Sequence, residues 1–387
     1  MRNPDRIIFV PFINAFGGVE RLLLALSRFL YVHNIAHTIS CFQQTIDLAA
    51  YADWPIKIYE LRTHRDFVSE GWALNNYLRS AYAKGSPPAL IFDLKGAFYA
   101  GLIPTLPYHV HLTDPPSLLL SDVSKFALSL RRINFSFRND ARFSLIKMIR
   151  GEFVHRINRR GVTKAYSVIA MSNKIACELH KLYTVKARVI RPGVEMKGSS
   201  LGKPLQKVDN LRMLSVCRLE ANKRLEWVLD ALADLEYSIE PLSKKINWSF
   251  DIVGDGSMRE ALQNLAKQRG IEKRVVFHGK ISDLMVQNLL ANAQLFLIPA
   301  VQGYGLPALE ALASNVPVIL HQESGVSEIL KGTPWVEIMD NGTDDLKSAV
   351  NTMVNRHRSD VFLKNPIPIL PTETDWAHEI GMLCRWL

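Results

Sequence analysis

The chain has 387 residues, of which 48% are hydrophobic, and a formal net charge of +10. This length suits two domains of roughly 150 to 200 residues, each with its own core. Cys41, Cys177, Cys217 and Cys384 lie far apart, with no Cys-x-x-Cys pair and no histidine cluster at zinc spacing, which argues against a disulfide scaffold or zinc module and for a reducing cytoplasm. No run reaches the roughly 18 apolar residues of a membrane span, so an integral membrane protein is not expected. The positive balance asks instead for an anionic partner: a phosphorylated substrate, a lipid surface or nucleic acid.

In "MRNPDRIIFVPFINAFGG" a short apolar run follows Arg and Asp and precedes no small-residue cleavage site, which predicts a buried first strand rather than a leader peptide. Further β-branched runs follow as "HTISCF", "ALIFDL", "HVHLTD", "YSVIAMS" and "ARVIRPG", separated by stretches of helical period such as "GGVERLLLALSRFL". Strands alternating with helices predict a parallel sheet. Residues 194–210 lose the periodicity and fill with Gly, Ser, Lys and Pro, as a linker does. The rhythm resumes over 211–365 with "LRMLSVCRL", "WSFDIVGDG", "VVFHGKI", "QLFLIPA" and "VPVILHQ". The expected fold class is α/β: two doubly wound domains, 1–193 and 211–365, facing each other across a cleft at the carboxyl ends of their strands. In 366–387, "DWAHEIGMLCRWL" predicts a helix that crosses back to the first domain with Trp376 as anchor, or an ordinary amphipathic tail.

Charge is uneven in one place. Residues 125–164 carry eleven Lys and Arg against one Asp and one Glu, threaded with Phe126, Leu128, Ile133, Phe135, Phe137, Phe143, Ile146 and Phe153. Such a segment is a solvated helical face with its apolar side on the core, or an amphipathic patch resting on anionic lipid. No nucleic-acid motif accompanies it, and no nucleic acid is expected as a partner.

Three stretches carry candidate chemistry. In "NAFGGVERLLLAL", Gly17 and Gly18 precede a helix whose free N–H groups suit an anion, although such a turn also occurs without one. In "VCRLEANKRLEWVLDAL", Arg218 ends a strand and Lys223 precedes a helix, so the pair could clamp a diphosphate or simply be solvated. In "VQGYGLPALEALASNVPV", Gly303, Gly305 and Pro307 shape a loop before a helix starting near Leu306, whose positive dipole end favours phosphate. Glu310, one turn later, can accept hydrogen bonds from a ribose diol.

These stretches, with "YSVIAMS", "VIRPGVE", "VGDGSMREAL", "VVFHGKIS" and the closing "DWAHEIGMLCRWL", resemble in order and along almost the whole chain the retaining, nucleotide-sugar-dependent glycosyltransferases of family 4. The resemblance implies the GT-B architecture of two Rossmann-like domains, acceptor side first and donor side second. It implies donor binding by Arg218, Lys223, Gly254, Gly303, Tyr304, Gly305, Leu306 and Glu310, with the base near the backbone of His278 and Gly279, and Gly17 and Gly18 approaching the diphosphate. It further implies a catalytic set of Arg218, Lys223, Gln302 and Glu310 with Asp114 and a histidine, whose place belongs to His111 or is taken by Thr113; His111 reads equally as a buried structural histidine.

The family's usual loop has two glutamates separated by seven residues, and Gln302 stands in place of the first. The amide serves if this residue hydrogen-bonds the donor sugar, the role favoured here; if its charge steadies an oxocarbenium-like transition state, activity should suffer. No Asp-x-Asp pair occurs. Together with the resemblance, this points to metal-independent departure of the nucleoside diphosphate and to no cofactor beyond the nucleotide-sugar co-substrate. The expected function is hexose transfer to an acceptor hydroxyl in lipid-linked or cell-envelope glycan synthesis, in the cytoplasm or peripheral on the cytoplasmic face of the membrane. Alternatives are a non-catalytic nucleotide-sugar-binding scaffold, a soluble glycan synthase or a nucleotide-sugar epimerase.

Overall fold

The structure, a computed structural model, describes residues 5–63, 66–102, 106–119, 141–195, 210–237 and 247–387, and side chains in the helix Ala141–Thr163 from 151 onward. Most of the proposed linker and the aromatic positions of the basic segment before Phe153 lie outside these described residues and side chains. The chain divides into two compact units. One comprises Met1–Pro192 with Glu373–Leu387, the other Gly193–Thr372.

Among the described residues, the first unit holds seven parallel strands: β1 (Arg6–Phe9), β3 (His37–Cys41), β5 (Ile58–Glu60), β6 (Ala89–Phe92), β7 (Tyr108–Leu112), β8 (Ser167–Ala170) and β9 (Arg188–Val189). Their spatial order is β5-β3-β1-β6-β7-β8-β9, and β2 (Phe12–Ile13) and β4 (Gln43–Gln44) form a separate pair. β6 and β7 are buried at every position, as parallel strands covered on both faces must be. The helices Asp93–Leu102 and Ala141–Thr163 touch backbone to backbone, because a Cβ on Gly161 would overlap the Ala97 carbonyl and one on Gly101 would meet the Ile157 carbonyl. The helix Glu373–Leu383 packs on the helix Gly18–Val32.

Trp376 of that last helix is buried edge-on to the His111 ring at 5.7 Å, and Phe92 stacks on the same ring at 4.9 Å. His111 is therefore enclosed in the core of the first unit. This placement corrects the expectation that it faces a reacting sugar: an apolar strand carries it inward with its neighbours.

The second unit has six parallel strands among the described residues: β10 (Asn210–Val216), β11 (Asn247–Val253), β12 (Val275–Gly279), β13 (Leu295–Ile298), β14 (Val318–His321) and β15 (Val336–Met339). Their order is β12-β11-β10-β13-β14-β15. The chain builds outward from β10 through β11 to β12, then returns to place β13 on the other flank of β10. Loops leaving β10 and β13 consequently diverge and open a crevice at the carboxyl end of the sheet.

Burial pushes the His111 imidazole down to about 3 from its ordinary 6.5. Between those values the unfolded chain takes up a proton that the folded chain refuses, so stability is lost as pH falls through the window. His111→Phe removes this uptake. Denaturant melts at pH 7 and pH 5 should show the variant losing less stability than the parent, by roughly 2 kcal/mol; equal losses would refute the buried neutral ring.

Candidate functional site

The crevice beside β10 gathers most of the donor-side residues. The loop after β10 is laced to the one after β11 by backbone bonds from Cys217 N to Val253 O (3.0 Å), Leu219 N to Asp255 O (3.0 Å) and Met258 N to Leu219 O (2.9 Å). So close an approach requires glycine at Gly254, where φ is +129° and a Cβ would overlap the Cys217 carbonyl. Gly254 N also donates to Gly279 O at 2.9 Å, which ties in the end of β12. The His278 side chain turns back to Asp251, with Nε2 2.6 Å from Oδ1, and only its backbone belongs to the loop.

Past these contacts the β10 loop makes a turn at Ala221–Lys223 and crosses to the loop after β13. Asn222 Nδ2 donates to Val301 O at 3.0 Å, and Val301 N donates to Asn222 O at 2.9 Å. Lys223 Nζ donates to Gln302 Oε1 at 2.8 Å, Gln302 Nε2 donates to Ser324 Oγ at 3.0 Å, and Ser324 Oγ donates to Tyr304 O at 2.8 Å. Three strand ends, β10, β13 and β14, are thus joined by one polar chain, and Gln302 and Ser324 also form a backbone bridge.

Gly305 then opens the helix Leu306–Ala313. Its φ of +125° suits glycine, and a Cβ there would come within 2.6 Å of Val326, 2.7 Å of the Gln302 amide and 2.8 Å of Ser324 Oγ. No side chain caps the helix start, Pro307 brings no N–H and Ala308 N donates to Gly305 O at 3.1 Å, so it is the Leu306 N–H that can turn to an anion. Glu310 lies one turn along, half-buried.

Arg218 is exposed and Lys223 half-buried, yet both act on the same neighbour. Burial pushes the Cys217 thiol up to about 11, while Lys223 and Arg218 oppose that rise. Hydrogen bonds from Ser257, at 2.7 Å and 3.4 Å, hold the Glu220 carboxyl below the usual range, and Arg218 adds to the effect. The two cations therefore act on one patch, beside the backbone bonds that tie the loops after β10 and β11 together.

Sequence reasoning passed over three contributors. Arg224, in a left-handed conformation with φ of 52°, reaches Glu323 at 2.7 Å and lies 4.4 Å from the Trp227 ring. Ser324, 1% exposed, completes the polar chain. The Ser-Gly pair after β14 was the available signal for a structured turn.

Asp93, in the first unit, is the third. It begins its helix at φ of 66° and accepts the Thr113 hydroxyl, and its carboxyl is pushed up to about 7 by burial, with Asp114 and Glu20 adding to the rise. Thr113, also buried, thus follows the end of β7 with its hydroxyl turned to Asp93, while His111 lies within the strand. Gly17 is extended at φ of −159°, and a Cβ on Gly18 would meet nothing within 4 Å, so the fold itself does not require either glycine. Among the described residues no group of three or more His, Cys, Asp and Glu could hold a metal ion, and no helix is long and apolar enough to cross a membrane.

Known proteins match this arrangement. Residues 200–355 fit the family model "Glycosyl transferases group 1". An uncharacterized glycosyltransferase of Methanocaldococcus jannaschii is 25% identical over 255 residues, 59% of this chain and 64% of the relative. A GDP-mannose-dependent alpha-(1-6)-phosphatidylinositol dimannoside mannosyltransferase of Mycobacterium tuberculosis is 32% identical over 141 residues, 36% of this chain and 34% of that one. The chain thus spans less than two thirds of the length of these curated relatives. The structure of Anabaena Alr3699/HepE in complex with UDP-glucose superposes with a TM-score of 0.67 at 16% identity, covering 99% of this chain and 100% of that one, which shows a shared GT-B fold. The strand order, the loops around β10 and the family match agree: residues 200–355 match the group 1 glycosyltransferase model, and the fold is that of GT-B proteins.

Proposed function

We propose that the chain moves a hexose from a nucleotide sugar to an acceptor hydroxyl with retention of configuration and without a metal. The observation that carries this reading is the meeting of Lys223 with the loop after β13 across the β10–β13 crevice, beside Arg218 and an uncapped helix start. In this reading Arg218, Lys223 and the N–H groups near Leu306 hold the diphosphate. The backbone of Gly303 to Gly305 lies along the phosphate and sugar, Glu310 accepts the ribose hydroxyls, and the backbone at His278 and Gly279 meets the base. Preorganised positive groups lower the barrier because negative charge grows on the diphosphate as the bond to the sugar breaks. The acceptor oxygen bonds the anomeric carbon on the face the diphosphate leaves, and its proton passes to a departing phosphate oxygen.

The first unit is read as the acceptor side, with Thr113 and Asp114 at its strand ends. The envelope-lipid substrate named for the mycobacterial relative suggests a lipid-linked acceptor. A surface suited to a lipid layer supports this. Phe67, Val68, Trp72 and Phe153 are 49%, 60%, 63% and 44% exposed, the Phe67 ring lies 6.4 Å from Phe153, and Arg156 and Arg160 are exposed on the same helix as Phe153.

Three measurements test the proposal. Calorimetry with uridine, guanosine and adenosine diphosphates should find one that binds, and Arg218→Ala with Lys223→Ala should cut transfer at least about a hundredfold, the usual scale for lost electrostatic contacts; transfer unchanged in the double variant contradicts it. Flotation with phosphatidylglycerol vesicles should recover the protein at low salt and progressively less as salt rises, and Trp72→Ser should weaken the association. A protein that never floats removes the membrane from the account.

A further inference from the structure

Residue 302 sits between two partners with opposite demands. On one side the Lys223 ammonium, which can only donate, lies 2.8 Å from Oε1. On the other, Ser324 has a single hydroxyl proton, and that proton is committed to the Tyr304 carbonyl at 2.8 Å, since a carbonyl only accepts. Ser324 Oγ must therefore receive a hydrogen from residue 302, across 3.0 Å. An amide supplies an acceptor on one arm and a donor on the other. An ionised carboxylate supplies two acceptors, and with it Ser324 would have to turn its proton away from the Tyr304 carbonyl, leaving that oxygen with the Val326 N–H alone at 3.0 Å, or stand unpaired.

Burial makes the choice consequential. Gln302 is 8% exposed and Ser324 1%, so bulk water is poorly placed to repair a mismatch. The same amide packs against Gly305, where a Cβ would come within 2.7 Å of Nε2. One side chain thus touches the lysine of the β10 loop and the residue that opens the helix Leu306–Ala313.

We propose that Gln302 is a positioning residue: its amide fixes the Lys223 ammonium and the start of the helix Leu306–Ala313 together for a nucleoside diphosphate, and the Ser324–Tyr304 bond makes an amide, not a carboxylate, the matched side chain. Each of its polar atoms serves the protein with one bond, and the second amide hydrogen and the second lone pair remain for the donor sugar. A neutral acceptor also holds the ammonium without bringing a full negative charge beside it, and so preserves its attraction for phosphate. This inference rests on the reading of the β10–β13 crevice as a diphosphate site.

The test uses the full chain as Gln302→Glu, Ser324→Ala and the double variant, with affinities measured for the diphosphate that the parent binds best among those of uridine, guanosine and adenosine, and for its parent nucleoside. Gln302→Glu should weaken the diphosphate about tenfold and leave the nucleoside within about twofold, on the scale of one charge-assisted contact. In the Ser324→Ala background the same change should cost clearly less, because no hydroxyl then waits for a donor. Gln302→Met, uncharged and similar in size, keeps the comparison open if the glutamate variant does not fold, and it too should weaken the diphosphate more than the nucleoside. Equal affinity in parent and Gln302→Glu, equal loss for both ligands, or an undiminished penalty in the Ser324→Ala background would overturn the assignment. A parent that binds none of the three diphosphates would instead remove the donor site beneath it.

Discussion

The reversal of strand order at β10 is the constraint on which the rest of the second unit depends. Because β11 and β13 flank β10 on opposite sides, the loops that leave β10 and β13 cannot pack on each other along their length and must part. The gap is spanned by hydrogen-bonded polar groups: the Asn222–Val301 pair and the Lys223–Gln302–Ser324–Tyr304 chain. A polar seam of this kind is stable only when every donor finds an acceptor, which is why the identity of one amide matters.

Glycines set the dimensions of the seam. Gly254 lets the loops after β10 and β11 touch through their backbones, and Gly305 turns the chain sharply enough to aim a helix start into the gap. Cations and N–H groups thus converge through covalent geometry and backbone bonding, leaving little rearrangement to be made when an anion arrives. At the strand ends of the first unit, Asp114 and Glu20 add to the burial that raises the Asp93 carboxyl.

The buried strands of both sheets were legible in the sequence because a parallel strand covered on both faces reads as an unbroken apolar run, as "ALIF" and "LFLI" do. β5 and β15 were not read, and both are sheet edges whose half-exposed positions dilute that signal. Arg218, Lys223 and Gln302 could be singled out because each stands at the end of a strand or the start of a helix. Their pairing could not: Lys223 and Gln302 are 79 positions apart, and Ser324 lies another 22 beyond. His111 misled for a physical reason, since a histidine in an apolar strand reads the same whether it faces a ligand or the Phe92 and Trp376 rings. Asp93 stood in plain sight in "ALIFDL", but its left-handed backbone and its bond from Thr113 are products of tertiary structure.

The account turns on where a diphosphate settles. Hydrogen exchange of the full chain, with and without a saturating nucleoside diphosphate, reads this directly, since bound N–H groups exchange more slowly. The account predicts protection concentrated in residues 217–224 and 299–308, on either side of the crevice. A diphosphate that binds and protects other segments while those two exchange unchanged would contradict it.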